Sequence, residues 1–308
     1  VDEPWVRARV PAIGAEFHKG TRRRVVIAGG ARGMAGATVL AARGALRSGA
    51  GMVRVIVEEP SLGAVQAGVF EATASTWPLS DDALTDATVG YAHAVLIGPG
   101  LGRSDGARRL LDRLLDIWRG PTVLDADALN LFTGDVPGLA RALAGRPALI
   151  TPHANELGRL IGVKPDEVAA QRFDIGAEVA RTLGATVLLK GVPTVITAPD
   201  GAMLVSASGT PVLAAAGSGD VLGGIAVTLL AQTGDPLASG ACAAWIHGRA
   251  GEVAGAGRPI RGVTLDDVLS GLSQAWRWAP GALPAPILAE LPMAGEPPPG
   301  RGTPREGL

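Results

Sequence analysis

Short β-branched apolar runs recur along the chain, with helical stretches between them. RVVIAG (24–29), MVRVIV (52–57), AVLIG (94–98), TVLDA (122–126), ALIT (148–151) and TVLLK (186–190) read as strands. Most are apolar throughout rather than alternating, which predicts strands covered on both faces. Between them, AGATVLAARGALRSGA, DGARRLLDRLLDIWRG and PDEVAAQRFDIGAEVARTLG place apolar residues at helical spacing, with glycine near their ends. Alternation of this kind predicts an α/β fold of three layers, α/β/α, around a mostly parallel central sheet.

Beyond residue 190 the pattern changes. PTVITAPDGAMLVSAS reads as two short strands joined by a PDG turn, and helices are predicted at about 218–233, 236–252 and 264–277. From Ala279 onward the chain has eight prolines and no aromatic residue, which predicts a disordered tail over 280–308. The resulting division is an N-terminal extension over 1–15, one catalytic domain over 16–279 and the tail, without internal repeats.

Composition narrows the class. A chain of 308 residues with 47% hydrophobic content and 44 glycines suits a turn-rich globule with a substantial core. A net charge of −1 gives no reason to expect nucleic acid or an anionic membrane as the main partner. No apolar run reaches the roughly 18 to 20 residues of a membrane span, and VDEPWVRARV carries charge too early for a secretory signal. The single Cys242 excludes an internal disulfide and a cysteine metal cage, and agrees with a reducing, cytoplasmic setting. Lysine occurs only at 19, 164 and 190, so a lysine at a special position carries information.

Ligands of open parallel sheets bind beyond the carboxyl ends of the strands. The polar and glycine-rich stretches fall there: GGARGMAGA (29–37), GPGLGRSD (98–105), DADALN (125–130), TPHANE (151–156) and KGVPT (190–194). No lysine follows a glycine, so a P-loop is excluded. GGARGMAG resembles a Rossmann turn with Glu58 at the ribose distance, but its glycines are wrongly spaced, and a tight turn without ligand fits as well.

AAGSGD (215–220) is more specific. Small residues before a helix leave first-turn N–H groups bare, and those donors with the helix dipole attract an anion. Asp220 is either an ordinary first-turn acid or a base beside an anion hole. Gly217 and Gly219 favour the second, because they let a hydroxyl and a phosphate approach both the carboxylate and the amides. Lys190 ends an apolar strand and needs a partner for its charge, whether phosphate, a nearby acid or solvent. His153 and Glu156 stand three apart without further histidines to complete a zinc site. Of Asp125 and Asp127, Asp127 reads as the helix cap and Asp125 as the site residue. Trp118 and Trp245 read as core.

HKG (18–20), GGARGMAGATVLAARGALRSGAG (29–51), IGPGLG (97–102), LDADALN (124–130), TPHANE (151–156), KGVPT (190–194) and TPVLAAAGSGDVLGG (210–224) occur in the order found in the NAD(P)H-hydrate dehydratases of the ribokinase-like superfamily. The chain resembles that family over about residues 16–277, and in style its ADP-dependent bacterial members. The resemblance implies repair of damaged NADH or NADPH. In NADHX and NADPHX water has added across a nicotinamide double bond, leaving a C6 hydroxyl. That hydroxyl is phosphorylated from ADP with Mg2+, and phosphate then leaves.

By the same resemblance, Asp220 takes the hydroxyl proton. The N–H groups of Gly217, Ser218 and Gly219 hold the phosphoryl group. Gly36, Ala37, Gly100, Gly102, Asp125 and His153 line the hydrated dinucleotide. Lys190, Gly191, Val192, Pro193, Thr194 and Gly219 line the ADP site, with Glu156 near magnesium through water. Relatives imply a homotetramer, and many carry an epimerase domain upstream. Here the first residue is Val, from a GTG start or from within a longer chain, so an epimerase is expected either separately encoded or upstream.

The chain also departs from the family pattern. Relatives usually have Gly two residues after HKGT, where this chain has Arg22, Arg23 and Arg24 in the turn. TPVLAAAGSGD replaces the common NPGMATGGTGD, so Leu213, Ala214 and Ala216 stand at altered positions, although Ala216 still offers its N–H. Two rivals share Asp220 and the anion hole or part of them: a small-alcohol kinase of hydroxyethylthiazole type, and a nucleotide-binding sensor without catalysis. HKG, GPGLG and TPH together favour the dehydratase, and the acid at 220 counts against the sensor.

Overall fold

The computed structural model describes residues 1–13 and 17–277. The Pro-rich segment 280–308 lies outside the described residues. Nine strands form one sheet in the order β3-β2-β1-β4-β5-β6-β7-β8-β9. They are β1 (Arg24–Gly29), β2 (Met52–Glu58), β3 (Thr73–Trp77), β4 (Ala94–Ile97), β5 (Thr122–Leu124), β6 (Ala148–Ile150), β7 (Thr186–Leu189), β8 (Thr194–Thr197) and β9 (Met203–Ser206). Pairing is parallel from β3 to β7 and antiparallel at β7–β8 and β8–β9, so the PDG segment is the expected hairpin.

The apolar runs serve two cores at once. Side chains alternate across a strand: Val25 and Ile27 enter the core on one face of the sheet, while Val26 and Ala28 enter the core on the other. Leu96 divides in the same way from its neighbours Val95 and Ile97. One face is covered by the helices Ala35–Arg47, Ser218–Thr233, Pro236–Gly255 and Leu265–Ala275. The other carries Asp105–Ile117, Val136–Leu143, Ala154–Ile161 and Arg172–Leu183. This is the predicted three-layer α/β/α arrangement.

Three differences have physical causes. The strand β3 gives no apolar run because it is an edge strand, with only Trp77 of TASTW buried. The runs predicted to 126 and 190 leave the ladder at Leu124 and Leu189, so Asp125 and Lys190 lie just past the strand ends. Residues 1–13 are not detached from the domain: a short helix Glu3–Arg7 buries Val6 completely, and the Val1 nitrogen donates to Val205 O on the β9 edge at 2.8 Å.

The Ser218–Thr233 helix lies against the Ala35–Arg47 helix at backbone distance. A β-carbon at Gly224 would fall 2.0 Å from Ala41 O, and one at Gly44 would fall 2.7 Å from Val221 O. The Thr228 hydroxyl donates across the crossing to Ala45 O at 3.3 Å. Gly224→Ala forces these helices apart and is expected to cost about 2–3 kcal/mol in urea unfolding, the upper part of the range for overpacking. Arg23, in the turn before β1, has φ 73°. A non-glycine residue pays about 1–2 kcal/mol there, so Arg23→Gly is expected to raise the urea midpoint by an amount corresponding to about 1 kcal/mol.

Candidate active site

The chain runs outward through β1, β2 and β3 and then returns to β4, so β1 and β4 flank a topological switch point, where loops diverge and leave a crevice. The loops after these two strands are tied together. Gly30 N–H donates to Pro99 O at 3.0 Å and Ala31 N–H to Gly100 O at 2.7 Å. Gly100, at φ 58°, approaches so closely that a β-carbon would sit 2.7 Å from Met34 O and 3.0 Å from Ala37 Cβ. Gly36 meets nothing within 4 Å of its β-carbon position, which leaves open space at the start of the Ala35–Arg47 helix. Glu58, the ribose candidate of the Rossmann comparison, braces this loop instead: its Oε2 accepts Arg32 N–H at 2.6 Å.

Asp127 differs from its predicted role. The residue capping the short Asp127–Asn130 helix is Ala126, at φ 50°. Asp127 is the first helical residue, and its Oδ2 accepts Gly102 N–H at 2.9 Å, which pins the glycine loop of β4 to the end of β5. Its Oδ1 faces Arg103 Nε at 3.4 Å. HKG also falls elsewhere than the cleft. It forms the turn before β1, and a β-carbon at Gly51, just before β2, would lie 2.0 Å from Lys19 O.

Three adjacent strand ends supply a charged cluster. Asp125 after β5 accepts from Lys190 Nζ at 2.9 Å, and Glu156 Oε2 lies 3.5 Å from the same nitrogen. Asp125 is 1% exposed, so its carboxylate is buried against Lys190 and not presented at the surface, where the resemblance places a dinucleotide contact. Burial works against the Lys190 charge, but the carboxylates of Asp125 and Glu156 outweigh it and hold the ammonium above the ordinary lysine value.

His153 caps the Ala154–Ile161 helix. Its Nδ1 accepts the N–H groups of Asn155 and Glu156 at 3.0 and 3.2 Å, while Glu156 Oε2 accepts His153 N–H at 2.9 Å. An accepting Nδ1 puts the ring proton on Nε2. Burial lowers its pKa, with the Glu156 charge opposing, so the ring is neutral at pH 7. Among the described residues no three His, Cys, Asp or Glu side chains form a metal cage. Magnesium needs only one or two carboxylates beside phosphate oxygens and water. Glu156 fits that part: its Oε2 carries the cap and the Lys190 contact, while its Oε1 stands 3.5 Å from His153 Nε2.

Arg172, absent from the sequence-level candidates, shapes the loop after β7. Its guanidinium donates to Lys190 O at 3.3 Å and Pro193 O at 3.2 Å, and it fills the space where a Gly191 β-carbon would stand. Thr194 closes the loop by donating to Gly191 O at 3.0 Å, and Val192 at its tip is 97% exposed. Nothing in KGVPT points to an arginine 18 residues upstream; only the tertiary packing brings it there.

The Ser218–Thr233 helix begins at Gly217, φ 90°, with no side-chain cap. Ser218 N–H is tied back to Ala215 O at 3.2 Å, so it is not one of the free donors expected at the anion hole. The N–H groups of Ala216, Gly217 and Gly219 have no partner among the described residues. A β-carbon at Gly219 would lie 3.3 Å from Lys190 Nζ, and one at Gly217 would lie 3.8 Å from Asp220 Oδ2. Bare amides, an ammonium and a carboxylate thus share one corner. Burial, reinforced by the Asp125 charge and opposed by Lys190, lifts the Asp220 pKa to about 7, within range for a general base. A separate cavity of about 430 Å³ lies between the Asp105–Ile117 and Val136–Leu143 helices, and no residue of this corner lines it.

A three-layer sheet with its crevice beyond the strand ends, and a helix start that brings an acid to bare amides, place the molecule in the ribokinase-like class of α/β folds. A family model described as NAD(P)H-hydrate dehydratase matches residues 25–273. The chain belongs to the NAD(P)H-hydrate dehydratase family. It is 38% identical over 266 residues to the ADP-dependent (S)-NAD(P)H-hydrate dehydratase of Neisseria meningitidis, covering 85% of this chain and 86% of that one. It is 38% identical over 283 residues to a bifunctional NAD(P)H-hydrate repair enzyme of Moorella thermoacetica, covering 89% of this chain and 53% of the relative. The chain thus spans about half the length of the bifunctional relatives it matches. A Bacillus subtilis ADP/ATP-dependent NAD(P)H-hydrate dehydratase co-crystallised with ATP/Mg2+ superposes with a TM-score of 0.77 at 30% identity, covering 88% of this chain and 95% of that one. The family assignment favours the dehydratase over the small-alcohol kinase considered from the sequence.

Lys190→Met is expected to cost about 3–5 kcal/mol in urea unfolding, because it strands the Asp125 carboxylate without a partner. The double variant Asp125→Asn/Lys190→Met is expected to recover part of that loss. Equal destabilisation by the single and double variants would show that the ion pair does not govern stability here.

Proposed function

We propose that the protein dehydrates the S epimer of hydrated NADH and NADPH to NADH and NADPH at the expense of ADP, which becomes AMP and phosphate. The observation that carries this reading is the position of the Asp220 carboxylate beside the unbonded N–H groups of Gly217 and Gly219, with Lys190 at the same helix start.

Asp220 removes the proton of the C6 hydroxyl as that oxygen attacks the β-phosphorus of ADP, and AMP leaves. The amides of Ala216, Gly217 and Gly219 stabilise the charge on the transferring phosphoryl oxygens. The C6–O bond then breaks: phosphate departs with the bonding pair, pushed by the ring nitrogen lone pair, and loss of the C5 proton restores the double bond. Phosphate is a far better leaving group than hydroxide, which is the chemical reason to use ADP. Lys190 and the Arg172-braced 190–194 loop hold the nucleotide, while His153 Nε2–H and the open space at Gly36, beside Ala37, Gly100 and Gly102, receive the hydrated nicotinamide. Glu156 would hold magnesium through water beside the diphosphate, and the ion would supply charge neutralisation there.

The same reading makes residues 16–279 the catalytic unit, working in the cytoplasm as a homotetramer. An epimerase acting on the same substrate is supplied by a separate chain or by an upstream domain. No helix among the described residues is long and apolar enough to cross a membrane.

Incubating the protein with hydrated NADH, ADP and magnesium should restore absorbance at the reduced-nicotinamide band, and no recovery with either ADP or ATP rejects the proposal. Asp220→Asn is expected to lower kcat by about 10²–10⁴, the range of general-base catalysis, with ADP affinity nearly unchanged. For the wild type, kcat/KM should fall tenfold per pH unit below about 7, as Asp220 takes up its proton. The stability effect has the opposite sense. The folded-state pKa of about 7 lies above the ordinary value of 3.8, so this group's contribution is present below about pH 4 and lost as pH rises through 7. Asp220→Asn should therefore raise Tm at pH 8.

A further inference from the structure

The start of the Ser218–Thr233 helix poses a problem of precision. It has no side-chain cap, its N-cap glycine is left-handed, and the residues before it are small. Such a turn has many accessible conformations, yet donors stabilise a transition state only when their aim is fixed in advance. Something behind the turn must hold it.

The Pro236–Gly255 helix does so along one face. The Ser208 hydroxyl donates to Trp245 O at 3.2 Å, Glu252 Oε1 accepts Gly209 N–H at 2.8 Å, and Leu213 packs onto Gly251 so closely that a β-carbon there would lie 2.8 Å from Leu213 Cγ. Nearest the amides stands His247. Its Nε2 lies 3.2 Å from Ser218 Oγ, and both residues are buried, at 7% and 5% exposure. Ser218 is the first residue of the helix, flanked on each side by a glycine whose N–H is unbonded.

We propose that His247 is a positioning residue for the phosphate cradle, acting through Ser218. This rests on the dehydratase reading above. Burial, with the Lys190 charge adding to it, pushes the His247 pKa down to about 4, so the contact joins a neutral ring to a hydroxyl at any working pH. Either ring tautomer satisfies it, since the hydroxyl rotates to donate or accept. Ser218 has its N–H tied back along the chain to Ala215 O and its side chain turned inward to His247. With both polar groups of Ser218 engaged, the unbonded amides of Gly217 and Gly219 on either side of it are held to one aim. His247 touches no reacting atom; it fixes the direction of groups that do.

The test uses His247→Leu, which keeps much of the volume but loses the hydrogen bond, and His247→Gln, which can restore it. Ser218→Ala and the double variant Ser218→Ala/His247→Leu complete the set. Measurements are Tm, kcat, KM for ADP and the calorimetric Kd for ADP. His247→Leu and Ser218→Ala are each expected to lower kcat about tenfold and to weaken ADP binding about fivefold, the scale of one lost or misaimed hydrogen bond. His247→Gln should recover most of both, and the double variant should be no worse than either single, because one contact is being removed. Losses that multiply in the double variant would overturn the proposal, as would a His247→Leu protein with wild-type kcat and Kd, or a His247→Gln protein no better than His247→Leu. Should His247→Leu fail to fold, Ser218→Ala decides: wild-type kcat and ADP affinity in that variant reject the positioning role. A wild-type protein that binds ADP but does not dehydrate hydrated NADH defeats the parent reading alone, and the ADP affinities of the variants then decide the role of His247.

Discussion

The ion pair between Asp125 and Lys190 is the contact on which the site depends. A carboxylate with 1% exposure cannot remain charged without a partner, and its partner sits two strands away, since β6 runs between β5 and β7. The pair therefore closes only if three strand ends arrive together, and Glu156 from the middle one completes it. One cation among three surrounding acids, Asp125, Glu156 and Asp220, leaves the corner short of positive charge. Burial first, and that imbalance after it, keep the Asp220 carboxylate reluctant to ionise, and the imbalance gives the corner an affinity for further cations brought in with a nucleotide.

Much of this was legible from the order of residues. Unbroken apolar strands announced a sheet covered on both sides, because one strand must feed two cores. Asp220 among small residues announced a helix start with uncovered amides. Lys190 announced a partner through the cost of burying its charge, and of the partners considered the nearby acids are the ones present. What escaped was whatever depends on elements distant in sequence. Arg172 under Gly191, Asp127 reaching Gly102 and His247 behind Ser218 each join residues more than 15 positions apart. No local pattern encodes such pairings. β3 escaped for the opposite reason: an edge strand can afford polar faces, so it loses the signal that reveals its neighbours.

Several residues answer to two demands at once. His153 is both a helix cap and a half-exposed imidazole, and the cap is what fixes which ring nitrogen carries the proton. Asp127 both opens a helix and sets the height of the glycine loop opposite. The turn at Arg23 shows the reverse case, a strained residue tolerated because it lies in the turn before β1, away from the chemistry.

The crossing of the Ala35–Arg47 and Ser218–Thr233 helices has a mechanical consequence. Their starts carry the two walls of the cleft, and Gly224 and Gly44 lock them at backbone distance, so neither wall can swing without prying the other loose. Adaptation to guests of different size then falls to the side chains of Met34 and Val192, which stand exposed on braced loops. The molecule is a rigid vice, and its selectivity for bulk should reside in those two side chains.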